Sequence, residues 1–279
     1  MRFHRFEAPG KMKLSEISEE PPDDVSKKEA KERFEELSEE IFELQDWMWG
    51  ARTHSVLLIL QGRDAAGKDG AVKHLSAAFN PRGVVVTSFG VPSDEEREHD
   101  FLWRVHRHAP RAGRIAVFNR SQYEDVLVVR VKEFVPKPVW KGRYELINAF
   151  ERTLAAANCL ILKFFLHITR KEQEERLLER EKDPADAWKL SIEDWKDRDR
   201  WDGYTEAYED AIARCASPAA PWIVVPANAK WYRDLVIAEA LAEALRPHKA
   251  AWRKTLDEEG KVLRRDLQDW RASRRDASK

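Results

Sequence analysis

The sequence has no long apolar run. None approaches the ~20 residues that a bilayer span requires, so a membrane role is not expected. The N-terminus lacks the apolar core of a secretory leader. Only two cysteines occur, Cys159 and Cys215. A disulfide scaffold is thereby excluded, and the cytoplasm is the expected compartment. Cys159 lies in an apolar run and reads as a small buried hydrophobe. Net charge is scarce as well: 49 basic residues face 50 acidic ones. Nucleic acid is not an expected partner, because any polyanion site must be a local concentration of Lys and Arg. There is no internal repeat, no low-complexity tract and no Asn-Lys-x-Asp guanine signature, which counts against a GTPase-type switch.

What is present suits an α/β protein. A chain of 279 residues with 43% hydrophobic content fits one α/β domain with additions, or two small ones, and is long enough to bury a full core. Its 11 tryptophans, several beside charged segments (Trp188, Trp195, Trp201), are expected as packing residues or interface anchors.

Residues 1–25 are polar and punctuated by Pro9-Gly10 and Pro21-Pro22, an extended arm. Ser26-x-x-Glu29 is a capping box. It opens a helix with one apolar stripe (Phe34, Leu37, Ile41, Leu44, Met48) and a plausible stop at Gly50. Five apolar runs then alternate with helical patterns, at 56–60, 84–87, 115–118, 160–166 and 222–225. Ser93-x-x-Glu96 starts a helix expected to reach about Arg107, and Thr169-x-x-Glu172 starts another. This alternation predicts a three-layer α/β fold with a parallel five-stranded sheet and helices on both faces. One domain is expected over 26–247. A charged helical extension follows over 248–279, fraying from about Arg271.

In such sheets ligands sit at the carboxyl ends of strands. The first run leads into Gly62-Arg63-Asp64-Ala65-Ala66-Gly67-Lys68-Asp69-Gly70, and a helical pattern follows. Strand, glycine loop and helix together make a phosphate loop. Backbone N–H groups of Gly62, Ala65, Ala66 and Gly67 would surround a phosphate, with Lys68 reaching the outer phosphates. Asp69 stands where a Ser or Thr that ligates magnesium is usual. Asp64 and Asp69 beside a phosphate cradle imply Mg²⁺ or a cationic clamp.

Polar residues also end the third run: Asn119-Arg120-Ser121-Gln122-Tyr123-Glu124-Asp125. Arg120 is placed for bidentate phosphate contact. Arg130, Lys132, Lys137, Lys141 and Arg143 could line a groove that tracks a chain of phosphates, or form a plain basic surface. Between residues 176 and 204 basic residues (Arg176, Arg180, Lys189, Lys196) interleave with acids. That pattern fits a solvated helix pair or a lid.

Three motifs resemble those of the polyphosphate kinase 2 family. They are Gly62-x-Asp64-x-x-Gly67-Lys68-x-Gly70; Phe118-Asn119-Arg120-Ser121-x-Tyr123-Glu124-Asp125-Val126-Leu127-Val128-x-Arg130-Val131; and Glu179-Arg180-x-x-Asp183-Pro184-x-x-x-Trp188-Lys189-x-Ser191, continuing to Arg198-x-x-Trp201-Asp202-x-Tyr204. The resemblance covers residues from about 30 to about 245. Asn119 with Glu124-Asp125 is similar to the class III branch, and the family also lacks the Ser/Thr after the lysine. It implies a thymidylate-kinase-like P-loop fold with a helical lid at about 176–204 and extra terminal helices. It also implies phosphoryl transfer from inorganic polyphosphate to nucleoside mono- and diphosphates, with Mg²⁺ or Mn²⁺, in a homo-oligomer (dimer or tetramer). On that basis Asp64, Lys68, Arg120, Asp125 and Arg180 are the expected catalytic residues, and Asp64 and Asp125 the expected metal ligands. Polyphosphate is expected on Gly62, Ala65, Ala66, Gly67, Lys68 and Asp69 with Arg130 and Lys132. The nucleotide is expected at Asn119, Arg120, Tyr123, Glu124, Arg176 and Lys189. The alternative is an ATP-dependent nucleotide or small-molecule kinase, which the phosphate loop alone does not exclude.

Overall fold

The five apolar runs form the parallel centre of a sheet, and the arm adds a strand to its edge. The computed structural model describes residues 3–276, so the ends of the arm and of the C-terminal extension fall outside it. In chain order the strands are β1 (His4–Phe6), β2 (Ser55–Gly62), β3 (Val84–Ser88), β4 (Ile115–Asn119), β5 (Cys159–His167) and β6 (Trp222–Pro226). Across the sheet they run β1-β6-β5-β2-β4-β3. Strands β2 to β6 are mutually parallel. The sixth strand, β1, was not expected. It pairs antiparallel with β6, with His4 opposite Val224. An edge strand needs little apolar surface, because backbone groups make the ladder, which is why a polar arm can supply one.

The helices are α1 (Lys27–Ala51), α2 (Lys68–Ala77), α3 (Asp94–Arg97), α4 (Trp103–His106), α5 (Val128–Val131), α6 (Lys137–Ala156), α7 (Arg170–Lys182), α8 (Ile192–Asp199), α9 (Trp201–Cys215), α10 (Lys230–Leu245) and α11 (Lys249–Asp276). One core packs α1, α2 and α10 on the sheet through Leu37, Ile41, Leu58, Val236 and Leu241. The other packs α6 and α9 through Ile59, Phe118, Ile147, Phe165 and Ile212. Cys159 and Cys215 are buried and unpaired. Among the described residues no helix is long and apolar enough to cross a membrane.

Three boundaries differ from expectation. The Ser26 capping box forms as read, but α1 passes through Gly50 and stops at Arg52, which is left-handed (φ 52°). A Cβ on Gly50 would lie 2.8 Å from Leu256 Cδ2, so this glycine admits α11. The segment after Ser93 breaks into α3 and α4. Asp100 Oδ1 accepts from the Leu102 amide at 2.9 Å, a turn that competes with the helix. Finally, α11 stays helical past Arg271 to Asp276.

Strands β2 and β4 are neighbours, with Leu60 opposite Asn119. Their register therefore brings the loop after Gly62 and the polar run after Asn119 to one end of the sheet.

Candidate active site

Gly62–Gly67 turns sharply between β2 and α2. Ala65 (φ 61°) and Gly67 (φ 96°) are left-handed. Gly67 must lack a side chain, because a Cβ there would lie 2.3 Å from Arg233 Nη1. Each carbonyl of the turn accepts a side-chain donor. Lys68 Nζ donates to Gly62 O (2.7 Å) and Arg63 O (3.0 Å). Gln173 Nε2 donates to Asp64 O (3.0 Å). Arg176 Nη1 donates to Ala65 O (3.1 Å) and Ala66 O (3.0 Å), and Arg233 Nη1 to Gly67 O (3.0 Å). A trans peptide points its N–H opposite to its C=O. Fixing the carbonyls therefore aims the amides the other way, into an anion nest.

Lys68 uses two of its three donors on the loop and keeps one for a ligand. Burial, then the nearby Arg120 charge, pushes its ammonium down to about 8, against the pull of Asp64 and Glu124. Asp69 accepts from Asn119 Nδ2 at 2.6 Å. Asp64 Oδ1 pairs with Arg120 Nη2 at 2.7 Å. Arg120 itself is left-handed (φ 63°), a conformation that costs a side-chain-bearing residue energy and is found at sites where position matters. Although burial opposes the Arg120 charge, Glu124 and Asp64 outweigh it and hold it above its ordinary value.

These residues open onto a cleft of about 980 Å³ that also takes in Arg180, Lys189 and Trp188 from the lid segment. Arg180 Nη1 lies 3.1 Å from Asp194 Oδ2. A recess of about 60 Å³ adjoins it and shares Asp64 and Arg120, with Glu124, Tyr204 and Tyr208 in its wall. Asp64, Ala65, Gly67, Lys68, Asp69, Asn119, Arg120, Arg180 and Lys189 are thus brought together as expected. Ala66 is wholly buried beneath the loop.

Four expectations are not met. The metal pair Asp64 and Asp125 is not assembled. Asp125 turns away to Arg143 Nη1 (2.8 Å), and burial pushes it up to about 6. Its neighbour Glu124 faces the recess instead and accepts from the Gln61 amide at 2.9 Å. Burial raises the Glu124 carboxyl, with Arg120 and Lys68 opposing. Tyr123 is no nucleotide contact, because it is sealed in the core, where its hydroxyl donates to Glu151 Oε1 (2.8 Å) and accepts from Lys163 Nζ (3.0 Å). Arg176 has no donor left for a nucleotide. Its five N–H groups go to Glu172 Oε1 (2.7 Å), Ala65 O, Ala66 O, Ala227 O (2.7 Å) and Asn228 O (2.8 Å). Arg130 and Lys132 line a separate cavity with Arg200 and Glu206. There Asp210 holds Arg130 (2.6 Å) and Asp197 holds Lys132 (2.9 Å), so neither faces the phosphate loop.

The sequence also concealed participants. Arg63 stacks on Trp201, 3.6 Å from the ring centroid to Cζ. Gln173 and Arg233 cap loop carbonyls from helices whose patterns signal only packing. The position of Arg233, near the start of α10 and so at the loop's end of the sheet, was the one available clue.

Asp64 and Glu124 supply oxygen donors on one recess, with burial and mutual repulsion disfavouring two bare charges there. Among the described residues no three His, Cys, Asp or Glu side chains form a full metal cage. Two carboxylates with the remaining ligands from phosphate and water suit a small hard cation such as Mg²⁺.

The family description "Polyphosphate kinase 2" matches residues 24–252. An AMP/ADP-polyphosphate phosphotransferase of Meiothermus ruber is 45% identical over 250 residues, covering 88% of this chain and 92% of that one. An ADP-polyphosphate phosphotransferase of Rhodopseudomonas palustris is 41% identical, covering 84% and 87%. The crystal structure of polyphosphate kinase 2 from Arthrobacter aurescens has a TM-score of 0.82 at 38% identity, covering 85% of this chain and 86% of that one. Loop, cleft and relatives agree, and this chain belongs to the polyphosphate kinase 2 family.

Proposed function

We propose that this chain transfers the terminal phosphoryl group of inorganic polyphosphate to nucleoside mono- and diphosphates, AMP and ADP foremost, with GMP and GDP as further acceptors. The observation that carries this is the phosphate loop with every carbonyl from Gly62 to Gly67 capped, facing a cleft that holds Lys68, Arg120 and Arg180. The names of the relatives support the choice of donor and acceptor.

The loop amides and Lys68 hold the donor's outer phosphates. Arg120 and Arg180 offset charge on the transferring group, and the acceptor lies across the cleft toward Asn119 and Lys189. An acceptor phosphate oxygen bonds to the terminal phosphorus. The bond from that phosphorus to the oxygen bridging it to the penultimate phosphorus breaks, and that oxygen keeps the electron pair as the new end of the shortened chain. The attacking oxygen is already anionic at pH 7, so positioning and charge neutralisation supply most of the acceleration. Asp64 and Glu124 would hold Mg²⁺ or Mn²⁺, which when bound neutralises phosphate charge and aligns the two oxygens. We place the enzyme in the cytoplasm as a homo-oligomer; a monomeric mass by light scattering would overturn the latter.

The test offers polyphosphate with AMP, ADP, GMP and GDP in turn, with and without Mg²⁺, and Lys68→Ala as the blank. ATP made from ADP with no other nucleotide present is the expected product. Product from ATP as donor but none from polyphosphate would overturn the assignment.

A further inference from the structure

A donor chain longer than the cleft must leave it, and three of the five cations that the sequence offered for the rest of that chain are engaged elsewhere. Arg130, Lys132 and Arg143 are each taken by a carboxylate. A second cavity, of about 380 Å³, lies between α1, α2 and α10. It is lined by Lys27, Lys31, Phe34 and Trp231, and it shares His74 and Lys230 with the main cleft. The two cavities therefore meet at those two residues.

Three features suit this slot to a polyanion. Among the described residues no carboxylate lies within ion-pair distance of Lys27, Lys31 or Lys230, whereas the adjacent Lys28 is paired with Glu32 (3.8 Å). What sets these three apart is that they line one cavity. Of the acids lining the slot, Asp234 is already held by Arg233 (2.7 Å) and His74 (3.0 Å), which leaves Glu35 alone against the lysines. Third, Lys27 lies in the first turn of α1, where a cation opposes the helix dipole and a bound anion relieves the conflict. The apolar floor of Ala30, Phe34 and Trp231 is a low-dielectric wall that concentrates the field of the lysines. Lys27 and Lys31 are one turn apart, about 6 Å along the axis, so successive phosphates can meet both.

We propose that this slot is a tail-binding site for long-chain polyphosphate. The donor passes from the phosphate loop over His74 and Lys230 onto the first two turns of α1, where Lys27 and Lys31 hold phosphates that do not react. The proposal rests on the polyphosphate-donor assignment above.

The experiment compares KM for tripolyphosphate with KM for a chain of many phosphates, using full-length enzyme. The wild type favours the long chain. In Lys27→Gln/Lys31→Gln that preference, read as the ratio of the two KM values, drops at least fivefold, while Lys28→Gln keeps the wild-type ratio. Raising salt shrinks the preference in the wild type and leaves the double variant flat. A double variant with the wild-type ratio, or a Lys28→Gln variant with the same drop, overturns the tail site. Wild-type turnover of tripolyphosphate separates that result from failure of the donor assignment itself, because an enzyme that uses neither chain contradicts both.

Discussion

Asn119 Nδ2 stands 2.6 Å from Asp69 Oδ1, which joins the end of β4 to the residue that follows the loop lysine. The amide supplies the donor that lets a carboxylate sit beside a phosphate cradle. Asn119→Asp would replace that donor with a second carboxylate. Two such groups at this distance share one proton, so the carboxyl of the pair is raised in the folded state. The resulting penalty is present above that raised value and relieved as pH falls through it. In the absence of divalent cations the variant should melt below wild type at pH 8 and recover toward pH 5. A difference in Tm that does not change with pH would refute the pairing.

Arg176→Lys keeps the charge but cannot reach five acceptors. Leaving loop carbonyls without donors should cost about 2–3 kcal/mol of transition-state stabilisation, roughly 30- to 150-fold in kcat/KM. A loop-holding role raises KM for the donor more than KM for the nucleotide, and the two are separated by varying each substrate in turn. The reverse pattern would restore Arg176 as a nucleotide ligand.

Lys68→Ala and Asp64→Asn should each lose at least about 2–3 kcal/mol in kcat/KM, since each touches the donor or its counter-ion. Near wild-type turnover in either variant contradicts the site.

Glu124 and Asp125 can be told apart. Glu124→Gln should raise the Mg²⁺ concentration needed for half-maximal rate by tenfold or more. Asp125→Asn should leave that concentration within twofold. Folding raises Asp125 from 3.8 to about 6. Between those values the folded state binds the extra proton, so this group makes stability fall as pH rises from about 4 to 6. Urea midpoints across that range lose this component in Asp125→Asn.

The depressed Lys68 gives a pH signature. Free enzyme loses the proton near 8, and a bound phosphate chain pulls the value up again. Affinity for tripolyphosphate is therefore level below pH 8 and falls as pH rises beyond it, by up to tenfold per unit. Isothermal titration in buffers of different ionisation enthalpy should detect proton uptake on binding at pH 9, and Lys68→Ala should show none.

The sheet, the phosphate loop and the α1 cap were legible because each has a local signature: an apolar run, a glycine spacing, a capping box. Local pattern could not choose between Glu124 and Asp125. They are consecutive in the turn after β4, and only Arg143, arriving from α6, decides which carboxylate turns away from the recess. Arg176 misled for the same reason. Its acceptors are backbone carbonyls 51 and more residues distant, and carbonyls carry no sequence signal. The basic run after residue 130 showed its cations, but the acids that hold Arg130 and Lys132 lie on α9 and α8. Arg233, buried in a helix of apolar pattern, was signalled only by its place near the start of α10.

The short strand β1 has a consequence for behaviour in solution. Its pairing covers the outer edge of β6, so one edge of the sheet is a polar strand of three residues and the other is β3, where Val85 and Val86 are exposed. An unpaired strand offers its backbone to any other chain. Disrupting His4–Phe6 with proline would expose the apolar edge of β6 in its place, without touching the catalytic cleft. The damage should first appear as self-association on storage, by light scattering, while turnover in fresh samples persists.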